Sequence, residues 1–225
     1  MIAYLPAGAS ELSRRPALYM FDGQNIFGDE GTFAGGWHLD QAVDRMSPRT
    51  NHVPLVIGIE HGHRHRIEEL SPWPIKDHRG LAQDFVDWVV ETIVPQMQRE
   101  LPLLRGPVGA AIGGSSMGGL GALYAHYRHP QTFGGAICMS SAFWVGGRQL
   151  FDLLAHAPRP PISRVYVDCG KKEGMLGISE RVVRELGKKD YAPGQLKWRA
   201  DPRGTHNERH WARRSLSALR FMFRR

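Results

Sequence analysis

Cysteine is scarce in this chain: Cys138 and Cys169 are its only two among 225 residues. A disulfide-stapled scaffold is therefore disfavoured. Both fall late in apolar runs that read as strands, so they are expected to be buried, inert thiols acting as small hydrophobes. Long hydrophobic runs are missing too. No stretch approaches the roughly 20 apolar residues that span a bilayer, and residues 1–6 carry neither a basic n-region nor a long apolar h-region. The expected compartment is the cytoplasm, with no membrane partner. Repeats, low-complexity tracts and linker-like stretches are also absent. Residues 1–225 are therefore read as one domain, large enough to bury well over half of its unfolded surface.

The formal net charge is +7, a balance that suits nucleic acid, an anionic surface or an acidic substrate. Here the positive residues are scattered. The densest group, in 209–225, accompanies Trp211, Ser215, Leu216, Leu219 and Met222 or Phe223 at helical spacing. Arg213, Arg214, Arg220 and Arg224 are expected mostly off that stripe, as in a terminal helix docking one face on the core. No basic-aromatic stacking pattern or groove-reading motif accompanies the charge, so nucleic acid is not an expected partner.

Apolar runs at 2–5, 17–21, 53–59, 108–113, 134–139, 164–169 and 195–199 read as strands. Most are nearly continuous, as strands buried on both faces must be. Helical patterns fall between them at 39–46, 81–101, 117–128, 148–157, 179–188 and 207–224. This alternation predicts an α/β fold with a mostly parallel, doubly wound sheet flanked by helices.

Gly114-Ser115-Ser116-Met117-Gly118 joins the strand pattern at 108–113 to the helical pattern at 117–128. In that context G-x-S-x-G reads as a nucleophile elbow, a sharp strand-to-helix turn that lifts one hydroxyl above the sheet edge. Ser116 is the expected nucleophile. A serine hydroxyl is a poor nucleophile at neutral pH, so an imidazole must take its proton and a carboxylate must orient that imidazole. On an α/β-hydrolase sheet these follow in the order nucleophile, acid, histidine, each on a loop at a strand's carboxyl end. The 164–169 strand runs into Gly170-Lys171-Lys172-Glu173-Gly174, and the 195–199 strand leads to Asp201 and His206. His206 is the expected base. His210 falls inside the last helix, and His126 and His129 read as surface residues. For the acid, Glu173 on its glycine-flanked loop competes with Asp168 inside the strand and with a bare Ser-His dyad.

Three segments, 19–27, 113–123 and His206-Asn207-Glu208 with Trp211, resemble the esterase D-like family of the α/β-hydrolases. That family includes enterochelin, feruloyl and acetylxylan esterases, S-formylglutathione hydrolases and mycolyltransferases. The resemblance runs from Ile2 to the C-terminus and implies Ser116 as nucleophile and His206 as base. It places the carboxylate on a G-x-x-acid turn, matched by Gly170 to Glu173 with glutamate in place of the usual aspartate, although some siderophore esterases of the family work without an acid. It also implies an oxyanion hole from the backbone N–H of Met117 and of Gln24, the latter on the loop after an earlier strand.

His61, His63 and His65 alternate, and on an extended segment they would share one side. No carboxylate or cysteine stands at ligand spacing, so a solvated or substrate-facing loop is expected there, with no metal and no cofactor. Arg66 is a candidate for a substrate oxygen or, more simply, the partner of a carboxylate. About 24 residues separate Ser140 from Arg164, too few for a cap domain. The site is accordingly expected to be shallow, with Trp37, Phe143 and Trp144 either forming an aromatic wall or packing in the core. The function these features predict is a serine carboxylesterase acting on a small-molecule ester with a short-acyl or aryl group. A siderophore trilactone esterase, an acyltransferase and a catalytically silent ligand-binding member are the alternatives, and the oligomeric state is left open.

Overall fold

The computed structural model of the chain describes residues 1–6, 13–29, 35–46 and 52–223. Arg224, read as part of the last helix, lies outside them. Among the described residues seven strands form one sheet: β1 (Ile2–Tyr4), β2 (Ala17–Phe21), β3 (Leu55–Ile59), β4 (Ala110–Ser115), β5 (Gly135–Met139), β6 (Arg164–Gly170) and β7 (Leu196–Asp201). Their spatial order is β1-β3-β2-β4-β5-β6-β7, with β1 antiparallel to β3 and every other pairing parallel. β2 to β5 are buried along their whole length, which is why each reads as an unbroken apolar run. The order reverses direction at β2 and β4. A crevice opens at such a switch point beyond the strand ends, and the elbow lies there.

Side chains alternate between two cores. Ala17, Tyr19 and Phe21 face one layer, and Leu18 and Met20 the other. The first layer holds α3 (Ala82–Trp88), α4 (Val94–Glu100), α5 (Met117–Arg128), α6 (Phe143–His156) and α7 (Leu176–Gly187); the second holds α1 (Leu39–Asp44) and α8 (Glu208–Phe223). A short helix, α2 (Arg66–Leu70), precedes α3 and has no counterpart among the expected elements. The helix expected at 81–101 is continuous but contains a π turn at Val89–Ile93. Pro95 follows it and lacks the N–H that would bond the Glu91 carbonyl, so a wider turn absorbs the defect.

Several starts differ from expectation: β3 begins at Leu55 rather than 53 and α7 at Leu176 rather than 179. Pro107–Gly109 form a 3-10 turn, so β4 begins at Ala110 and runs on to Ser115. α6 begins at Phe143, five residues before the expected start, and bends at Gly147, whose φ of 44° is a conformation suited to glycine. Between β5 and β6 the chain has room for α6 alone, and among the described residues no separate cap domain covers the sheet edge. Both cysteines are buried and unpaired. No helix among the described residues is long and apolar enough to cross a membrane.

Candidate active site

Ser116 stands between β4 and α5 with φ 53° and ψ −121°, a strained combination for a residue with a side chain. Backbone bonds hold it there. Its N–H donates to Met139 O at 3.1 Å, and its carbonyl accepts from Ala142 N at 2.8 Å. The turn is tight enough that a Cβ on Gly114 would lie 2.6 Å from the carbonyl carbon of Gly118. The elbow needs its first glycine for that close approach.

Ser116 Oγ lies 3.0 Å from His206 Nε2, and His206 Nδ1 lies 3.0 Å from Glu173 Oε2. The base arrives on the 202–207 loop. That loop is pinned at several points: Gly204 N–H donates to Asp201 O, Lys172 N–H to Gly204 O, and Thr205 N–H to His210 Nδ1. Asn207 caps α8, its Oδ1 accepting from His210 N–H at 3.1 Å. His210 thus lies in the helix, as expected, and braces the loop. The loops bearing acid and base touch through backbone, since a Cβ on Gly204 would stand 2.6 Å from Gly170 Cα.

Glu173 has no exposed side-chain surface. Burial raises its pKa, but the bonds from His206 and Ser140, the Arg214 charge and the Gly170 N–H outweigh that and hold the carboxyl below its ordinary range. Ser140 Oγ donates to Glu173 Oε1 at 2.8 Å and accepts from Arg214 Nη2 at 2.5 Å. Arg214 is fully buried, contrary to the solvent-facing position expected of it, and also pairs with Asp168 at 3.0 Å. Asp168 is bonded to Tyr166 and Arg214 inside the sheet. Burial raises its pKa to about 6 despite the arginine. The structure brings Glu173, not Asp168, to His206. Arg214 was missed although its spacing gives it away: it is three residues after Trp211 and four before Ala218, on the buried stripe.

The loop after β2 forms the opposite wall. Asp22 is buried with φ 60° and is gripped by Arg66, whose Nε and Nη2 donate to its two oxygens at 2.6 and 2.8 Å. Arg66 takes the carboxylate-pairing role. Gln24, in the 3-10 turn Gly23–Asn25, is anchored to the chain after β3: its Nε2 donates to His61 O at 2.9 Å, and its Oε1 accepts from His61 N–H at 3.4 Å. Met117 opens α5, so its N–H is among those without an intrahelical partner.

A model of the family described as "Putative esterase" matches residues 1–221. The chain belongs to this family. It is a hydrolase with the α/β-hydrolase fold. It is 22% identical over 237 residues to "Uncharacterized protein YbbA" of Bacillus subtilis (strain 168), covering 98% of this chain and 90% of that one. A shorter match, 38% identical over 68 residues, joins 29% of the chain to 16% of an iron(III) enterobactin esterase of Dickeya dadantii (strain 3937). Among solved structures, the BES protein from Bacillus cereus superposes with TM-score 0.73 at 18% identity, covering 98% of this chain and 87% of that one. The ferric enterobactin esterase of Salmonella typhimurium superposes with TM-score 0.73 at 22% identity, covering 96% of this chain and 53% of that one. The chain thus spans about half the length of that esterase, and these superpositions show a shared fold.

In this esterase-family chain the cleft at Ser116 has a volume of about 390 Å³ and is lined by Asp22, Asn25, Trp37, Arg66, His206 and Trp211 among others. Trp37 is 2% exposed, packs 5.5 Å from the Trp211 ring and is among the residues lining the cleft. Phe143 is wholly buried in the core and forms no wall. Trp144 is 55% exposed on the first turn of α6 and is not part of the cleft lining. The earlier start of α6 explains both, because one helical turn sends adjacent residues to different faces. His63 and His65 belong to a 3-10 turn, not an extended segment. Among the described residues no group of three or more His, Cys, Asp or Glu is placed to hold a metal ion. His129 is partly buried against Asp87 at 2.7 Å. His126 is no surface residue: it is fully buried, bonded to Phe133 O at 2.8 Å and Ser163 Oγ at 2.6 Å.

Proposed function

We propose that this chain is a serine carboxylesterase that hydrolyses short-acyl or aryl esters through an acyl-enzyme on Ser116. The observation that carries the reading is the continuous relay from Ser116 Oγ through His206 to Glu173, with 3.0 Å at both steps. With Nδ1–H donating to Glu173, His206 presents a bare Nε2 lone pair to the serine hydroxyl, the tautomer a general base requires. Ser116 Oγ attacks the ester carbonyl as His206 takes its proton, and the C–O bond to the alcohol then breaks as His206 returns the proton to the leaving oxygen. Water repeats the sequence on the acyl-enzyme. The developing oxyanion is met by the N–H of Met117, at the positive end of α5, and by that of Gln24.

The cleft's modest volume and the lack of a cap favour short or aryl acyl groups. The partial match to an iron(III) enterobactin esterase favours a second reading, cleavage of a catecholate trilactone. A silent ligand-binding member has no evident need for an activated serine and is disfavoured by the intact relay.

A fluorophosphonate tests the reading directly. It is expected to label Ser116 once, and Ser116→Ala to abolish labelling and turnover while melting like the parent. Labelling of Ser115 would move the elbow's register. Across p-nitrophenyl esters, kcat/KM is expected to peak at short or aryl acyl groups. A peak at long-chain emulsified substrates would contradict the open-cleft argument, and a catecholate trilactone preferred over every simple ester would select the second reading.

A further inference from the structure

A second concavity, about 800 Å³, lies between α1 and α8 and shares Trp37 and Asn207 with the Ser116 cleft. Its walls are cationic. Arg45 follows the end of α1, while Arg209 and Arg213 stand one helical turn apart on α8, and all three are exposed. Arg213 is steadied by Asp201 at 3.2 Å. Among the described residues, neither Arg45 nor Arg209 has a carboxylate within ion-pair distance. Gln41 adds a neutral donor beside them. Among the described residues one acid lines the rim, Asp29, which accepts from His38 Nε2 and Gly36 N–H and also feels the Arg209 charge.

We propose that this groove is a subsite for an anionic oxygen group, carboxylate or phosphate, carried by the non-reacting end of the ester whose carbonyl sits at Ser116. The proposal rests on the esterase reading above and deepens it, naming the charge of the substrate. Two exposed arginines that make no close ion pair among the described residues cost little to leave in water, but they gain from a fixed anion through charge-assisted, forked hydrogen bonds. The shared lining residues Trp37 and Asn207 place the two spaces side by side. Two arginines also focus a positive potential beside the catalytic cleft, which raises the encounter rate of an anionic ester.

The test compares mono-p-nitrophenyl esters of succinate, glutarate, adipate and suberate with their methyl-capped diesters. A parallel arm uses p-nitrophenyl esters of ω-phosphono acids of matching length. Each is measured with the wild type and with Arg45→Gln/Arg209→Gln. At low salt the wild type is expected to prefer the charged ester over its capped partner by about tenfold in kcat/KM at one chain length, as suits two partly exposed charge pairs. That ratio should shrink as salt is raised and fall close to one in the double variant. The arm with the larger ratio identifies the anion. Equal rates for charged and capped esters at every length in both arms, or a preference that survives the double variant, would overturn the subsite. Cleavage of the capped esters with labelling at Ser116 shows that the esterase reading stands regardless. If no ester is cleaved and Ser116 is not labelled, that reading fails separately, and the subsite is then judged by calorimetric titration of glutarate. Binding weakened about tenfold in the double variant supports the subsite, and binding that is absent or unchanged overturns it.

Discussion

The guanidinium of Arg214 lies 3.5 Å from the carboxylate of Glu173, and neither side chain has any exposure to solvent. The same cation stands 3.0 Å from Asp168 and 3.8 Å from Asp201. One buried positive charge therefore serves three carboxylates. They respond differently: Asp168 is pushed up to about 6 by burial, while Glu173 is held below its ordinary range by its donors. The acid that reaches His206 is thus held in its ionised form.

The first prediction separates the two acids. Glu173→Gln is expected to lower kcat by up to roughly 10⁴, since the amide can hold the wrong imidazole tautomer. Asp168→Asn, which touches Tyr166 and Arg214 but not His206, should cost far less activity and act mainly on stability. Steady-state kinetics and urea melts of both variants decide the matter. A small loss in Glu173→Gln, with Ser116→Ala and His206→Ala inactive, would indicate a working dyad.

The second prediction concerns Arg214 as a positioning residue. Removing its charge takes away a force that depresses the Glu173 pKa, so the carboxylate would protonate at higher pH. The acid limb of the kcat/KM profile should move to higher pH in Arg214→Met and return toward the parent position in Arg214→Lys. Leaving buried carboxylates unpaired is also expected to destabilise the fold by about 3–5 kcal/mol, and Arg214→Lys provides the readable variant if Arg214→Met does not fold. A profile unmoved in Arg214→Lys and in folded Arg214→Met would confine Arg214 to a structural role.

The layers, most strand runs and the elbow were legible because buried parallel strands write themselves as unbroken apolar runs and the elbow as a fixed pentapeptide. Glu173 and His206 were legible because loop order on this sheet assigns their places. Arg214 was not, because a charged side chain on a helix is presumed to face water, and only the three carboxylates converging from β6, β7 and the 171–174 turn reveal why it is buried. His126 was misread for a similar reason. Its partners, Phe133 and Ser163, come from separate loops that no local pattern connects. The fates of Phe143 and Trp144 depended on where α6 starts, a boundary blurred by the paired glycines Gly146 and Gly147.

Arg66 leads to the third prediction. Its two nitrogens hold both oxygens of Asp22, and Asp22 O in turn accepts from Asn25 N–H, closing the turn that carries Gln24. Lysine offers a point charge where a fork is needed. Arg66→Lys should therefore lower kcat with little change in KM, by less than the roughly 10²-fold typical of deleting an oxyanion donor outright. A rise in KM at constant kcat would instead mark Arg66 as a ground-state binding residue.

The fourth prediction uses His126. Its Nδ1–H donates to Phe133 O, so its Nε2 accepts from the Ser163 hydroxyl, which is itself bonded to Tyr191 at 2.9 Å. This arrangement requires a neutral ring, and burial lowers the His126 pKa from 6.5 to about 4, against a smaller opposing effect of the Phe133 bond. A base with a depressed folded pKa binds its proton more readily in the unfolded chain. Its contribution is complete above pH 6.5 and drains away as pH falls toward 4. At about 1.4 kcal/mol for each tenfold difference in proton affinity, the loss reaches up to about 3 kcal/mol. Asp168 works in the opposite sense, since its raised pKa favours the folded state as pH falls through about 6, so the effect is read as a difference between proteins. Urea unfolding at several pH values should show His126→Asn less stable than the parent near neutrality, but with a flatter decline between pH 6.5 and 4. Parallel curves for the two proteins over that interval would mean that the buried imidazole does not govern the acid sensitivity of the fold.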